Sequence, residues 1–323
     1  MELTFQKESE KMNEADLKKV VEEVVRKMTA ASSPAPKTMP AAGLGQGVFE
    51  DINEAIEAAK EAQVELHKMP LEFREKIIDR IREKIMENKE ILAQMAVHET
   101  GMGKIGHKIL KHELVAKKTP GTECIQITAW SGDQGLTVVE RGPFGVVGAI
   151  TPSTNPSETV FCNAIGMIAA GNTVVFNSHP NAAKTSNFAV QLVNEAAKEA
   201  GNITNLATTV FKPTAESGNT LFKHPEIQLL VATGGPGVVK AILQSGKRGI
   251  AAGAGNPPVL VDETANIRKA AEDIINGATF DNNLPCIAEK EVLVVNEVAD
   301  ELIHYMVNEN DCYMLQGEQI EKL

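Results

Sequence analysis

Short apolar, β-branched runs alternate with helical segments through the middle of this chain, and this pattern constrains the fold more than any other feature. The strand candidates span 146–150, 173–176, 206–211 and 228–232, and the intervening helix candidates span about 157–170 and 182–200. Strands that are apolar throughout are typical of parallel sheets covered on both faces. The sequence therefore predicts an α/β fold, with a Rossmann-type parallel sheet and helices on both of its faces.

The same patterns extend this prediction on either side. We expect helices over 51–68, 71–97 and about 266–278, and a strand over 291–298. The alternating stretch 136-LTVVERGP-143 indicates a hairpin arm at about 125–143. The predicted organisation is a dinucleotide-binding domain over 48–250 that includes this arm, followed by the start of an α/β catalytic domain over 251–323.

The N-terminal 29 residues form a segment of their own. Residues 12–29 have the apolar stripe of an amphipathic helix, and 30–47 form a linker rich in Pro, Gly and small residues. The stripe consists of Leu17, Val20, Val21, Val24, Val25 and Met28. A short helix on a tether must dock to bury this stripe, either on its own body or a sister subunit, or in a groove on a partner protein.

Composition excludes several classes of protein. With 323 residues, 43% hydrophobic and 23% charged, the chain has the length and composition of about two globular domains. A net charge of −11 without a long Lys/Arg run argues against a nucleic-acid partner. No apolar run approaches the roughly 18 residues that span a bilayer, and the N-terminus has no signal-peptide core, which favours the cytoplasm.

The cysteines and histidines give no sign of a disulfide framework or a metal site. Cys124, Cys162, Cys286 and Cys312 are widely separated, which indicates free thiols in a reducing compartment. The seven histidines do not cluster with cysteines or carboxylates at metal-ligand spacing. We therefore expect no metal.

Two glycine-rich turns follow strand candidates. The turn 233-TGGPG-237 lies between a strand and a helix, where backbone N–H groups could hold a phosphate, although a tight turn without a ligand has the same pattern. The second turn, 251-AAGAGNPP-258, could approach a ligand or only turn a corner. A third glycine segment, 169-AAGN-172, is most simply the C-cap of a helix.

Cys286 and Asn155 are the residues most capable of chemistry. Cys286 lies in 280-FDNNLPCIAEK-290, a loop between a helix and a strand, where it is either a nucleophile or an inert thiol. Asn155 lies in 151-TPSTNP-156, after a strand, where such folds bind ligands. Its amide could donate to an oxyanion or could only cap its own turn.

Several motifs together resemble the aldehyde dehydrogenase superfamily, most closely its CoA-acylating branch and, within it, the microcompartment enzymes of propanediol and ethanolamine breakdown. They occur in order across 47–323. The motifs are 99-ETGMG-103, 119-TPGTE-123, 143-PFGVVGAITPSTNP-156, 233-TGGPG-237, 251-AAGAGNPPVLVDETA-265, 271-AEDIINGA-278 and 280-FDNNLPCIAEK-290.

The resemblance implies the roles of the site residues. It places the nucleophile at Cys286 and the oxyanion donor at Asn155, with an acyl thioester on Cys286 that passes to CoA. It implies NAD as the cofactor, although no ribose-binding acid is recognisable. The cofactor-binding candidates are Thr151, Pro152, Ser153, His179, Pro180, Thr233, Gly234, Gly235, Gly253 and Ala254.

Two departures from the hydrolytic relatives favour the CoA-acylating branch. Those relatives have a Glu-Leu-Gly-Gly motif whose glutamate activates water, and the matching segment here is 251-AAGA-254, with Ala251 in place of the base. They often have a lysine that faces the adenosine ribose, and the matching segment here is 177-NSHP-180.

The resemblance also implies a substrate, partners and a location. The substrate is a short-chain aldehyde, propionaldehyde or acetaldehyde, and 284-LPCIAEK-290 is more similar to the propanediol enzyme. The N-terminal helix resembles an encapsulation peptide, which favours a microcompartment shell protein as its partner. We expect a homo-oligomer at full length, located in the cytoplasm inside a bacterial microcompartment.

Family members continue well past residue 323, so the resemblance predicts an incomplete catalytic domain. Two hypotheses follow: a CoA-acylating dehydrogenase, or a non-catalytic fragment that keeps only nucleotide or shell binding. A second methionine, Met12, leaves open which methionine is the functional start.

Overall fold

The computed structural model describes residues 43–310 and 312–322, so the predicted helix over 12–29 lies outside the described residues. The strands are β1 Val48–Phe49, β2 Thr128–Gly132, β3 Gly135–Val139, β4 Val146–Thr151, β5 Thr173–Ser178, β6 Ala207–Val210, β7 Ile227–Thr233, β8 Arg248–Ala252, β9 Pro258–Val261 and β10 Glu291–Val294. The helices are α1 Ile52–His67, α2 Leu71–Thr100, α3 Ile105–Lys118, α4 Pro156–Ala169, α5 Ala183–Gly201, α6 Ala215–Lys223, α7 Pro236–Gln244, α8 Ile267–Thr279, α9 Asn296–Glu309 and α10 Glu318–Glu321.

Six strands form one sheet in the order β1-β6-β5-β4-β7-β8, and every pair of neighbours is parallel. From β4 the chain moves outward through β5 to β6, then returns to the other side of β4 to form β7 and β8. Strand order therefore reverses beside β4, which creates the crevice where doubly wound folds bind ligands. The predicted α/β fold with a parallel sheet is confirmed.

The sheet is covered on both faces because successive side chains of a strand point to opposite sides. In β5, Val174 and Phe176 pack in a cluster with α2, α4 and α5. Val175 packs in a second cluster, on the other face, with α1 and residues of α6 and α7. This double burial explains why the central strands are almost wholly apolar.

The helix ends follow the local sequence. Asp51 caps α1 by accepting a 2.7 Å hydrogen bond from the N–H of Asn53. Gly101 ends α2 in the left-handed conformation, with φ of 69°. Pro156 begins α4. A backbone N–H at this first position would have no acceptor within the helix, so a proline fits there without loss of a hydrogen bond. The segment 169–172 is a helix C-terminus as predicted, with Gly171 at a φ of 78°.

Two small sheets flank the main one. Strands β2 and β3 form an antiparallel hairpin within the predicted arm, and all of their residues are exposed. Strands β9 and β10 pair in parallel beside α8 and α9. Their apolar cluster contains Val261, Ile267, Ala271, Ile274 and Leu302.

Several elements differ from the sequence-based expectation. Helix α3 was not predicted, because its buried face includes Lys108, Lys111 and His112 and so does not show an apolar stripe. The predicted strand over 291–298 is wrong beyond Val294, because α9 begins at Asn296. Strand β8 was also not predicted, and it continues two residues beyond the domain boundary placed at residue 250.

Among the described residues, no helix combines the length and the apolar character that crossing a membrane requires.

Candidate active site

A cleft of about 650 Å³ lies at the carboxyl ends of β4, β5, β7 and β8. The twelve candidates from the sequence all line it. They are Thr151, Pro152, Ser153, Asn155, His179, Pro180, Thr233, Gly234, Gly235, Gly253, Ala254 and Cys286. The parallel sheet explains this convergence, because the carboxyl ends of its strands meet at one edge and strand order reverses beside β4.

One part of the cleft has features that fit a dinucleotide. The hydroxyls of Thr151 and Ser178 are buried, and neither has a hydrogen-bond partner among the described residues. Gly235 is the N-cap of α7, and a Cβ placed there would meet nothing within 4 Å. A helix N-terminus with open space before it favours an anion such as a pyrophosphate. Free hydroxyls at the strand ends and an open helix N-terminus are groups that NAD can use.

Cys286 follows a 3-10 turn, Phe280–Asn283, with an unusual backbone. Asp281, Asn282 and Asn283 have φ values of 49°, 56° and 60°, in the left-handed region that non-glycine residues rarely adopt. The amide of Asn283 donates to the carbonyl of Ala278 at 2.7 Å and to that of Glu289 at 3.0 Å. Asn and Asp tolerate this conformation best, which accounts for the 281-DNN-283 sequence.

Gly255 lies against the backbone of Cys286. A Cβ at this position would collide with the Cys286 carbonyl oxygen and carbon. The segment 251-AAGAGNPP-258 therefore needs a glycine here to let two chain segments meet, and not only to turn a corner.

Asn155 occupies the N-cap position of α4, but its side chain makes no capping hydrogen bond. Its Oδ1 accepts from Lys111 Nζ at 2.5 Å, and its Nδ2 donates to Thr154 Oγ1 at 3.2 Å. The alternative that Asn155 only caps its own turn is therefore wrong. Its amide is held from α3 and lines the same cleft as Cys286.

Behind Asn155 lies a buried cluster of charges. The carboxylate of Asp281 accepts from Lys111 Nζ and, at 3.3 Å, from Lys108 Nζ. Glu158 Oε1 is 3.6 Å from Lys111 Nζ. Lys108 and Asp281 are fully buried. Because water cannot solvate these charges, the two ammonium groups and the two carboxylates compensate one another.

The cluster shifts the protonation equilibria of its members. Burial lowers the pKa of Lys108, and the neighbouring Lys111 ammonium lowers it further. Burial alone would raise the pKa of Asp281, but hydrogen bonds from Lys111 and from the Lys104 N–H outweigh it, and the pKa lies below its ordinary value of 3.8. Burial also lowers the pKa of His112, whose Nε2 lies 2.8 Å from Ser157 Oγ.

Sequence reasoning missed this cluster. Lys108 and Lys111 lie on one face of α3 at a spacing of three residues, and charged residues at that spacing usually face solvent. Their carboxylate partners are distant in sequence, since Asp281 precedes Cys286 and Glu158 is on α4. Only the fold brings the three segments together.

The remaining cysteines lie away from this chemistry. All four are free in the structure, and only Cys286 lines the cleft. Burial raises the pKa of the Cys162 thiol, whose Sγ is 3.2 Å from Thr119 Oγ1. Within residues 43–310 and 312–322 no group of His, Cys, Asp and Glu side chains is arranged to hold a metal ion.

Fold and site together define an α/β protein of the dinucleotide-binding class, with a cysteine and an asparagine in one cleft at its topological switch point. The family model for the aldehyde dehydrogenase family matches residues 20–316, which is most of the chain. The chain belongs to the aldehyde dehydrogenase family.

Three similar proteins narrow the comparison. An acetaldehyde dehydrogenase (acetylating) of Bilophila wadsworthia is 46% identical over 297 residues, covering 90% of this chain and 61% of its own length. The structure of a propionaldehyde dehydrogenase from the Clostridium phytofermentans fucose utilisation bacterial microcompartment is 68% identical, with a TM-score of 0.84 and coverage of 86% and 64%. That of Rhodopseudomonas palustris propionaldehyde dehydrogenase with bound propionyl-CoA is 50% identical, with a TM-score of 0.82 and coverage of 86% and 62%.

The chain thus spans slightly less than two thirds of the length of each of these relatives.

Proposed function

We propose that this protein oxidises a short-chain aldehyde, with NAD as the cofactor and CoA as the acyl acceptor, to acyl-CoA and NADH. The observation that carries the proposal is that Cys286 and Asn155, 131 positions apart (286 − 155), line one cleft at the strand ends. The similarity to acylating dehydrogenases, one of them with bound propionyl-CoA, supports the choice of substrates.

The first step is attack by the Cys286 thiolate on the aldehyde carbonyl carbon, which forms a C–S bond and puts negative charge on the oxygen. The Asn155 amide donates a hydrogen bond to this oxyanion. Such a donor contributes roughly 100- to 1000-fold in rate, because its interaction strengthens as the charge develops. The Asn283 side chain, bonded to the Ala278 and Glu289 carbonyls, ties together the two sides of the loop that presents Cys286.

NAD, when bound along the strand ends, supplies the hydride acceptor. Thr151, Ser178 and the N-terminus of α7 at Gly235 would hold it, with His179 and Pro180 in the same cleft wall. Loss of hydride from the tetrahedral carbon leaves an acyl thioester on Cys286. The CoA thiol then loses its proton to solvent and attacks the acyl carbon, the C–S bond to Cys286 breaks, and the cysteine returns as a thiolate.

Transfer to a thiol is favoured over hydrolysis by the chemistry of the cleft wall. No Asp or Glu lines the cleft in the part of the chain that the structure describes. Ala251 is in β8 and packs against the apolar cluster beneath the sheet, and the wall begins at Gly253. A water molecule here has no carboxylate base, whereas a thiol needs less assistance.

The proposal extends to a partner and a location. The segment over 12–29 would bind a microcompartment shell protein through its apolar stripe, and the relative from a fucose utilisation microcompartment supports this context. The enzyme would act as a homo-oligomer in the cytoplasm, inside that compartment. Deletion of 12–29 is expected to abolish co-sedimentation with purified shells and leave turnover intact. Persistent association would show that these residues dock elsewhere.

The decisive experiment follows NADH at 340 nm with propionaldehyde or acetaldehyde, NAD, and the protein with and without CoA. CoA-dependent NADH that is lost in Cys286→Ala, with Cys162→Ala unaffected, is the expected result. Formation of free acid without CoA would mean a hydrolytic enzyme. Binding of NAD with no turnover would mean that the chain is a nucleotide-binding fragment.

A further inference from the structure

One charged donor holds the side-chain amide of Asn155. Lys111 Nζ donates to Asn155 Oδ1 at 2.5 Å. The Nδ2 of Asn155 lies on the other side of the amide and donates one of its two N–H groups to Thr154 Oγ1. An ammonium has three donors and no acceptor, so it stabilises the amide only with the oxygen toward Lys111. The flipped amide would put two N–H donors against a buried cation.

We propose that Lys111 is a positioning residue, which fixes the Asn155 amide so that the N–H not bonded to Thr154 is free for the cleft, and links it to the Cys286 segment through Asp281. Its catalytic consequence rests on the proposed function, in which Asn155 donates to the oxyanion. The orientation itself does not depend on that function.

Burial strengthens the hydrogen bonds of Lys111. The Lys111 side chain is 10% exposed, and Asp281, its other partner, is fully buried. In such surroundings a charged hydrogen bond is strong and polarises its acceptor, so Lys111 also makes the Asn155 N–H groups better donors. Asp281 lies five positions before Cys286 (286 − 281). One ammonium therefore connects the segments that carry the two reacting groups.

Lys108 provides a matched control. It is also buried in the cluster and also donates to Asp281, but its other hydrogen bond goes to the Thr154 carbonyl at 2.9 Å and not to the Asn155 amide. A loss of stability from removing a buried ammonium is common to both lysines. The direct contact with the amide oxygen belongs to Lys111 alone.

Lys111→Met is expected to lower kcat by about 10- to 100-fold, which is less than the roughly 100- to 1000-fold that removal of the oxyanion donor itself causes. KM for the aldehyde and NAD should change little, because the interaction acts in the transition state. In an Asn155→Ala background the same substitution should have almost no further effect. Lys108→Met lacks the direct contact with the amide, so a larger part of its effect should persist in the Asn155→Ala background.

A spectrum of the chain labelled with ¹⁵N at asparagine follows the Asn155 NH₂ without turnover, assigned by its loss in Asn155→Ala. Lys111→Met should shift this signal further than Lys108→Met, since Lys108 contacts the segment only at the Thr154 carbonyl. An unmoved signal in folded Lys111→Met, or kinetic losses that multiply with Asn155→Ala, would overturn the proposal. If Lys111→Met does not fold, it is combined with Asp281→Asn, which removes the carboxylate left without its partner, and both tests compare this double variant with Asp281→Asn alone.

The two proposals fail in different ways. A wild-type chain that makes no CoA-dependent NADH contradicts the proposed function. The amide signal then decides alone whether Lys111 positions Asn155.

Discussion

The backbone N–H of Lys104 donates a 2.8 Å hydrogen bond to the carboxylate of Asp281, 177 residues later in the chain. Gly103, with φ of 81°, permits this approach, because a side chain there would collide with the same carboxylate. The bond fixes the turn before Cys286 to the start of α3. The motif 99-ETGMG-103, far from the nucleophile in sequence, thus helps to hold it.

Asp281→Asn is expected to lower the free energy of unfolding at pH 7 by about 3 kcal/mol, because it removes one partner from a buried ion cluster. The pKa of Asp281 in the folded protein lies below its ordinary value of 3.8, chiefly because Lys111 and Lys104 donate to it against the opposing effect of burial. The stabilisation is therefore complete above about pH 4 and is lost as the pH falls through the folded pKa.

Urea unfolding followed by circular dichroism between pH 3 and pH 7 measures this difference. The difference in the free energy of unfolding between wild type and Asp281→Asn should be constant from pH 5 to 7 and should disappear below pH 4. Asp79→Asn, which affects an exposed ion pair with Arg82, should show almost no gap at any pH. A gap that widens in acid would contradict the assigned charge state.

Asn155→Ala is expected to lower kcat by about 100- to 1000-fold, since it removes the proposed oxyanion donor. Affinity for NAD, measured by titration calorimetry, should stay near that of the wild type because the amide acts on the aldehyde oxygen. Asn163→Ala, two turns further along α4 and outside the cleft lining, is the control and should keep full turnover. Turnover that survives in Asn155→Ala would remove Asn155 from the mechanism.

The sequence was sufficient for the central strands of the sheet and for twelve residues of the cleft, but not for the edge strand β8 or for the charges behind the cleft. Apolar runs locate β4, β5 and β7, and parallel strands necessarily bring their carboxyl ends together. The partners of Lys108 and Lys111 could not be predicted, because a charged helix face is buried only when complementary charges meet it. That complementarity depends on Asp281 and Glu158, which reach the site through the tertiary fold.

Gly255→Ala is expected to lower kcat/KM by about 100-fold, because the new Cβ would push the Cys286 backbone out of position. Mass spectrometry of the alkylated Cys286 peptide should also show a changed rate of reaction with iodoacetamide. Gly106→Ala is the matched control, since a Cβ there meets nothing within 4 Å and α3 continues through it. Equal activity of the two variants would show that the loop yields without displacing the nucleophile.

Glu99→Ala is expected to destabilise the protein by about 2 kcal/mol, because Glu99 supplies a cap that α5 lacks in its own sequence. The carboxylate accepts from the N–H groups of Lys184 and Thr185 at 2.7 and 2.8 Å, and from the Thr185 hydroxyl at 2.6 Å. Hydrogen bonds to a charged group contribute about 1.5–3 kcal/mol, and Thr185 is buried, so its groups would lose their partner without gaining water.

Urea unfolding gives the size of this effect, and amide hydrogen exchange locates it. Exchange at Lys184 and Thr185 should accelerate in Glu99→Ala while the far end of α5 changes less. Glu99→Gln, which keeps a neutral acceptor, should recover part of the loss. Glu57→Ala, which affects an exposed contact with Lys60, is the control and should leave α5 unchanged. If Glu99→Ala unfolds like Glu57→Ala, the contact between α2 and α5 does not depend on this cap.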